Sequence, residues 1–163
     1  MNDKFSGRVW VLPDDIDTDI IIPTQYLALP DIGAMKKYAF NPLRPELAGK
    51  IAKGDILVCG KYFGCGSSRE QAPEIIRELC VSCIIARSYA RIFYRNAINN
   101  GLLVLENDAL PGEIKEGDTI EVDLASNVIT YGAKKYPIGS IPQNLKQMIE
   151  SGGLVKYMKN INK

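Results

Sequence analysis

The sequence predicts an α/β fold with a mixed sheet, in which a parallel half and an antiparallel half follow each other along the chain. Residues 55–105 alternate short apolar strands with amphipathic helices, which is the order that gives parallel strands joined by crossover helices. From residue 117 on, polar and apolar residues alternate between turn signals, as in antiparallel strands. The 163 residues, 46% of them hydrophobic, suit one domain over residues 1–163 with barrel or sandwich character.

The first third of the chain predicts one strand followed by irregular segments. The β-branched stretch 7–12 predicts a strand that ends in the turn residues 13–15. A functional loop follows, with a short strand expected at 20–22. A short helix is expected at 34–40, and the Pro- and Gly-containing segment 41–54 is expected to be a connection.

The middle and the end of the chain give clearer patterns. Pro73 stands at a position that the first turn of a helix tolerates, and Asn100-Gly101 is a helix stop signal. The predicted elements are strands at 55–59, 82–86 and 102–105, helices at 73–80 and 90–99, and a C-terminal helix that ends at Gly152-Gly153, with a second short helix possible after it.

Composition excludes several classes of function. The net charge of +1 gives no electrostatic reason to expect nucleic acid or a membrane surface as a partner. The N-terminus lacks the apolar core of a signal peptide and no apolar run reaches the roughly 20 residues of a membrane span, so a cytoplasmic protein is expected. The chain has no histidine, which removes the commonest general base and the usual zinc ligands. The four cysteines are expected to be free thiols, and no bound metal is expected.

The strongest chemical signal is the sequence Gly-Cys-Gly-Ser-Ser-Arg-Glu at residues 64–70. Gly64 and Gly66 allow the backbone to approach a ligand closely, and a loop between a strand and a helix favours anions. A helix cap formed by Ser67 is the structural alternative. Pro73 argues against the cap, because it would then fall too deep in the helix. Residue types alone leave anion binding and a plain structural role equally open.

The same loop is similar to the Gly-x-Gly-Ser-Ser-Arg-Glu signature of the aconitase superfamily. Three further stretches agree in the same order: DTDIIIP near the start, ARSYARIFYRNAINNGLL after the signature, and GDTIEVD with the terminal helix. The resemblance spans nearly the whole chain, and the length suits a free-standing small subunit. It implies a swivelling β/β/α domain. It also implies a large partner subunit with a [4Fe-4S] cluster as Lewis acid, while this chain itself binds no cofactor.

The resemblance also assigns roles to single residues. Ser67 matches the serine whose alkoxide takes a proton next to a carboxylate, and Ser68 and Arg69 match the pair that binds a substrate carboxylate. Gly64 and Gly66 would support the loop geometry. Asp19 matches the aspartate of the family's Thr-Asp motif, where it would orient its neighbours. An EF-hand reading of Asp15, Asp17 and Asp19 fails, because Ile20 stands where that motif requires glycine.

The segment Tyr26-Leu27-Ala28-Leu29 is the expected substrate-specificity loop. In the resembling family the equivalent loop contacts the variable end of the substrate, and enzymes with a distal carboxylate place an arginine there. Ala28 cannot pair with a carboxylate but can accept an alkyl group. Ordinary apolar packing of the loop is the alternative.

Together with this loop, the resemblance implies the expected reaction: a small dicarboxylate, an alkyl-substituted malate, would be isomerised by loss and re-addition of water. Isopropylmalate is the leading substrate, which would place the chain in leucine biosynthesis. The alternatives are a related hydro-lyase acting on methylmalate, dimethylmalate or homocitrate-type acids, or a non-catalytic anion-binding module. The arginines Arg87, Arg91 and Arg95, with Tyr89 and Tyr94, fit either a partner interface or a solvated helix face.

Overall fold

The computed structural model describes residues 3–139 and 143–150. Seven strands in these residues form one mixed sheet, in the order β4-β3-β2-β1-β5-β6-β7. The strands are β1 (Lys4–Leu12), β2 (Ile56–Cys59), β3 (Cys83–Ala86), β4 (Val104–Glu106), β5 (Thr119–Asp123), β6 (Val128–Tyr131) and β7 (Lys134–Pro137). β1 to β4 are parallel, and β1, β5, β6 and β7 are antiparallel neighbours. The predicted division into a parallel and an antiparallel half is therefore confirmed.

β1 belongs to both halves of the sheet. Its first part, Lys4–Arg8, pairs with β5 in antiparallel fashion, and its second part, from Val9 to Leu12, pairs with β2 in parallel. Gly7 stands at the transition, where a Cβ atom would lie 2.3 Å from the carbonyl oxygen of Gly54. A side chain at this position would therefore force the two segments apart.

Helices connect the strands, and most of them pack against one face of the parallel strands. The α-helices are α1 (Thr18–Ile21), α2 (Ile32–Met35), α3 (Leu47–Lys50), α4 (Gln71–Glu78), α5 (Arg91–Asn99), α6 (Leu110–Glu113) and α7 (Gln143–Glu150), and 3-10 turns cover Thr24–Ala28 and Lys36–Tyr38. None of these helices combines the length and the apolar character needed to cross a bilayer.

Two buried clusters lie on the two faces of the parallel strands. On one face Leu57 and Ile84 pack with apolar side chains of α4 and α5, such as Ile75 and Phe93. The other cluster joins side chains of the parallel strands to those of the antiparallel half: Ile56, Val58, Ile85, Ile120, Val122, Ile129 and Tyr136. Because both halves share this cluster, the sheet curls over itself. The expected α/β fold with barrel character and flanking helices is confirmed.

A buried carboxylate ties β1 to the segment before β2. Asp55, 6% exposed, accepts hydrogen bonds from the Trp10 indole at 2.8 Å, the Ala52 amide at 2.8 Å and the Arg8 guanidinium at 3.1 Å. Burial raises the pKa of this carboxyl, but the hydrogen bonds and the Arg8 charge outweigh it and leave the pKa below its ordinary value.

The short strand predicted at 20–22 is wrong, because this segment lies in and after α1. Asp17 caps α1, since its carboxylate accepts from the Ile20 amide at 2.8 Å. An apolar run of three residues fits a strand and a buried helical turn equally well. Here Ile21 and Ile22 are fully buried in the helical arrangement.

The remaining differences are small. The connection 41–54 contains α3, and α6 was not predicted. The helix expected at 34–40 appears as α2 followed by a 3-10 turn. The C-terminal helix is confirmed as α7, whereas the stop at Gly152-Gly153 and the second short helix lie outside the described residues.

Candidate active site

The loop of residues 60–70, called the serine loop below, leaves the carboxyl end of β2 and carries the predicted site residues Gly64, Gly66, Ser67, Ser68 and Arg69. Gly64 and Gly66 have φ angles of +85° and +88°, which favour glycine. A Cβ atom on Gly64 would lie 2.2 Å from Cγ of Phe93 on α5. The Gly64 amide donates to the carbonyl of Ile16 at 2.7 Å. The two glycines therefore shape the loop, and their supporting role in an active site stays a prediction.

Ser67 and Ser68 lie exposed at the surface of this loop. Within residues 3–139 and 143–150, the Ser67 hydroxyl makes no hydrogen bond. α4 begins at Gln71, two residues before the expected start, and Glu70 at its N-cap position provides no side-chain cap. Pro73 stands in the first turn, as predicted. Ser67 is therefore not a helix cap, and its hydroxyl is available for chemistry.

Arg69 is held by the segment that follows β1. One guanidinium nitrogen donates to the Ile22 carbonyl at 2.8 Å, and the other donates to the Thr24 hydroxyl at 2.9 Å. The latter nitrogen also forms an ion pair with the Asp19 carboxylate. The Arg69 side chain is 14% exposed and that of Asp19 is 63% exposed. The structure thus brings Ser67, Ser68 and Arg69 together and pairs Arg69 with Asp19, whereas the orienting role of Asp19 stays a prediction.

A cleft of about 310 Å³ lies over the serine loop. Its lining includes Ser67, Ser68 and Arg69, together with residues 90–93 in the first turn of α5. Sequence reasoning missed this second wall. The signal was present in the ARSYARIFYRN stretch, where Arg91 was considered only for an interface or a solvated face. Arg91 and Ile92 are exposed, whereas Phe93 is buried and packs this turn against the core.

The segment Tyr26–Leu29 does not line this cleft. The Tyr26 ring stacks on Tyr38 with a centroid distance of 4.1 Å, and Tyr26, Leu27 and Leu29 pack against the core. Ala28 is exposed. These contacts fit the alternative of ordinary apolar packing for the other three side chains. A substrate contact of this segment stays a prediction, and Ala28 is the residue free to make it.

The thiols and carboxylates do not form a metal site in the part of the chain that the structure describes: no group of three or more side chains there could hold a metal ion. Cys59 and Cys83 are buried in β2 and β3, and burial raises the pKa of both thiols. Burial also raises the pKa of Cys65, and the charges of two nearby carboxylates, Asp17 and Asp15, raise it further.

Comparison with known proteins agrees with this arrangement. The family described as the aconitase C-terminal domain matches residues 45–110, which include the serine loop and α5. The chain is 64% identical to the 3-isopropylmalate dehydratase small subunit of Lachnospira eligens, over 99% of this chain and 98% of that protein. It is 47% identical to small subunit 1 of the same enzyme from Archaeoglobus fulgidus, over 95% and 97% of the two chains.

A solved structure is similar over nearly the whole fold. The crystal structure of 3-isopropylmalate dehydratase from Methanocaldococcus jannaschii superposes with a TM-score of 0.90 at 37% identity, over 98% of this chain and 95% of that chain. Identities of this size over nearly the full length of both chains show which family the chain belongs to. The chain belongs to the family of 3-isopropylmalate dehydratase small subunits, within the aconitase superfamily.

Proposed function

We propose that this chain is the small subunit of a hydro-lyase that interconverts 2-isopropylmalate and 3-isopropylmalate in leucine biosynthesis. The names of the relatives support the reaction. The observation that carries the proposal is the position of the Ser67 hydroxyl, which has no hydrogen-bond partner among the described residues, next to Arg69 in one cleft. In the reaction, a proton leaves one carbon and hydroxide leaves its neighbour, which gives a double bond. Water then adds back with the opposite regiochemistry.

Ser67 is proposed to exchange the carbon-bound proton. Its Oγ must be an alkoxide to accept this proton, and a serine hydroxyl needs local positive potential to reach that state. Two features of the chain supply positive potential: the amino-terminal end of α4, which begins four residues after Ser67, and the guanidinium of Arg69. The exposed position of Ser67 leaves its oxygen accessible to a substrate.

Ser68 and Arg69 are proposed to bind a carboxylate of the dicarboxylate substrate. Asp19 already occupies one face of the Arg69 guanidinium. A substrate carboxylate must therefore share the guanidinium with Asp19, or Asp19 must turn outward. Because the Asp19 side chain is 63% exposed, rotating it into solvent costs little burial. Asp19 then holds Arg69 in place until substrate arrives.

A large partner subunit that carries the [4Fe-4S] cluster remains part of the proposal. The described residues offer no ligand set for a cluster, and the whole sequence has no histidine. The chemistry at the leaving hydroxyl is therefore assigned to the partner, and only the proton and carboxylate contacts are assigned to this chain. A location in the cytoplasm also stays a prediction.

The test is turnover by the complex reconstituted with the large subunit. Ser67→Ala is expected to lower kcat on the order of 10³-fold, in the range that general bases contribute. Ser6→Ala removes an exposed serine of β1 and is the matched control, with kcat expected to stay unchanged. Wild-type turnover in the Ser67→Ala complex would refute the assigned base.

Substrate choice is tested with the same complex. If Ala28 faces the variable end of the substrate, isopropylmalate is used efficiently and homocitrate poorly, because no cation meets the distal carboxylate. Faster turnover of methylmalate or dimethylmalate would favour a related hydro-lyase. A wild-type chain that binds carboxylates but forms no active complex would favour the anion-binding module.

A further inference from the structure

We propose that Thr18 is a positioning residue, whose side-chain hydroxyl sets the placement of Ser67 for proton transfer. This inference rests on the proposed function of Ser67. Thr18 is 2% exposed and opens α1. A buried hydroxyl requires a hydrogen-bond partner, and this one donates to the backbone carbonyl of Ser67 at 2.7 Å.

Thr18 contacts the serine loop at three successive points. Its backbone amide donates to the Cys65 carbonyl at 2.9 Å, its hydroxyl donates to the Ser67 carbonyl, and its own carbonyl accepts from the Arg69 guanidinium at 3.5 Å. Gly66 lies between the first two contacts, where a Cβ atom would stand 3.8 Å from Thr18 Oγ1. The loop is therefore held by both the backbone and the side chain of a single residue.

This contact matters because nothing else in the described chain fixes the Ser67 side chain, whose hydroxyl has no partner there. Its position then follows from its backbone alone. Gly64 and Gly66 make that backbone permissive, since glycine adopts many φ and ψ values at similar cost. A hydrogen bond to the Ser67 carbonyl fixes the peptide plane that follows Ser67, and with it the direction in which the side chain leaves the loop.

The hydrogen bond from the Thr18 hydroxyl to the Ser67 carbonyl, called the tether below, starts from a rigid part of the fold. Asp17 caps α1 in front of Thr18, and Ile21 and Ile22 behind it are fully buried. A serine loop held by this short helix moves only if the core beneath it moves. Placement errors of about 1 Å can cost on the order of 100-fold in rate, so Thr18, which lines the same cleft, is expected to influence turnover through the placement of Ser67.

The experiment compares Thr18→Val with Thr18→Ser in the complex with the large subunit. Valine keeps the branched shape but removes the donor, whereas serine keeps the donor. Ser82→Ala is the matched control, because the Ser82 hydroxyl also donates to a backbone carbonyl, that of Gly54, at 3.2 Å and outside the cleft. Turnover, KM, subunit assembly and amide hydrogen exchange of residues 65–69 are measured for each variant.

Thr18→Val is expected to lower kcat about 10- to 100-fold with a smaller change in KM and faster exchange in the loop. Thr18→Ser should stay within about threefold of the wild type, and Ser82→Ala should keep wild-type kcat. The inference is overturned if Thr18→Val keeps wild-type kcat, if Thr18→Ser is equally impaired, or if only assembly changes.

The exchange measurement separates this inference from the proposed reaction. It needs no substrate and can be made on the isolated chain. Faster exchange confined to Thr18→Val would support the tether even if isopropylmalate were not the substrate. Unchanged loop exchange in Thr18→Val would refute the tether, whatever reaction the complex catalyses.

Discussion

The serine loop depends on the absence of a side chain at Gly64. This dependence can be measured by replacing three glycines with alanine and comparing the free energies of unfolding. Gly64, Gly66 and Gly117 share φ angles between +85° and +92°. Alanine at any of them adopts a left-handed conformation that costs about 1–2 kcal/mol. Gly117 has nothing within 4 Å of a Cβ atom, Gly66 has Asp17 at 3.3 Å, and Gly64 has Phe93 at 2.2 Å. The three sites differ chiefly in the space available.

Gly64→Ala must also displace the buried ring of Phe93, and overpacking of this kind costs about 1–3 kcal/mol. Its free energy of unfolding should fall by about 2–5 kcal/mol in total, against about 1–2 kcal/mol for Gly117→Ala. Urea unfolding of the isolated chain, followed by circular dichroism, measures both. Gly66→Ala should fall between them.

A double-mutant cycle identifies the source of the difference. Phe93→Ala alone should cost about 3–5 kcal/mol, because it leaves a cavity. If the ring is what alanine at position 64 meets, the double variant should be more stable than the sum of the single effects predicts, by about 1–3 kcal/mol. A Gly64→Ala variant no less stable than Gly117→Ala, or strict additivity in the cycle, would refute the reasoning.

Three further predictions concern Arg69 and Cys65 in the serine loop and the buried carboxylate of Asp55. Arg69→Lys keeps the charge, but one ammonium cannot replace contacts made by two guanidinium nitrogens, so kcat/KM of the complex should fall at least about tenfold, and an unchanged value would contradict the role. Asp55→Asn should destabilise the chain by about 1–3 kcal/mol at pH 7. Because the folded pKa of Asp55 is lowered, this carboxylate stabilises the fold above about pH 4 and the contribution is lost as pH falls through the folded pKa; a destabilisation that persists in acid unfolding would contradict this. The raised pKa of Cys65 should make its alkylation by iodoacetamide slower than in the urea-unfolded chain at pH 8, and mass spectrometry would show the opposite if the thiol were activated.

The parts of the fold that follow from local pattern were predictable from the sequence. The order of β2, α4, β3, α5 and β4 followed from apolar periodicity and from two residues that mark the ends of helices. Pro73 could stand only in the first turn of α4, and Gly101 has the positive φ of +77° that a helix stop requires. Antiparallel strands after residue 117 likewise followed from their alternation.

The segment around α1 was not predictable in the same way, because its structure depends on distant contacts. The carbonyl of Cys65 accepts from Thr18, and the amide of Gly64 donates to Ile16. These bonds join residues almost 50 positions apart in sequence, and local preference gives no sign of them. For the same reason the first turn of α5 was missed as a wall of the cleft, although the motif that contains it was noticed.

The network around Arg69 changes what the serine loop can be said to do. From the sequence, only the family resemblance assigns Arg69 to a substrate carboxylate. In the structure its guanidinium is used first within the chain, by Thr18, Ile22, Thr24 and Asp19. Three of these partners are neutral and only Asp19 carries charge, so a substrate carboxylate need displace Asp19 alone. An arginine fixed by its neutral partners keeps its orientation during that exchange, and a fixed orientation is what carboxylate recognition next to Ser67 requires.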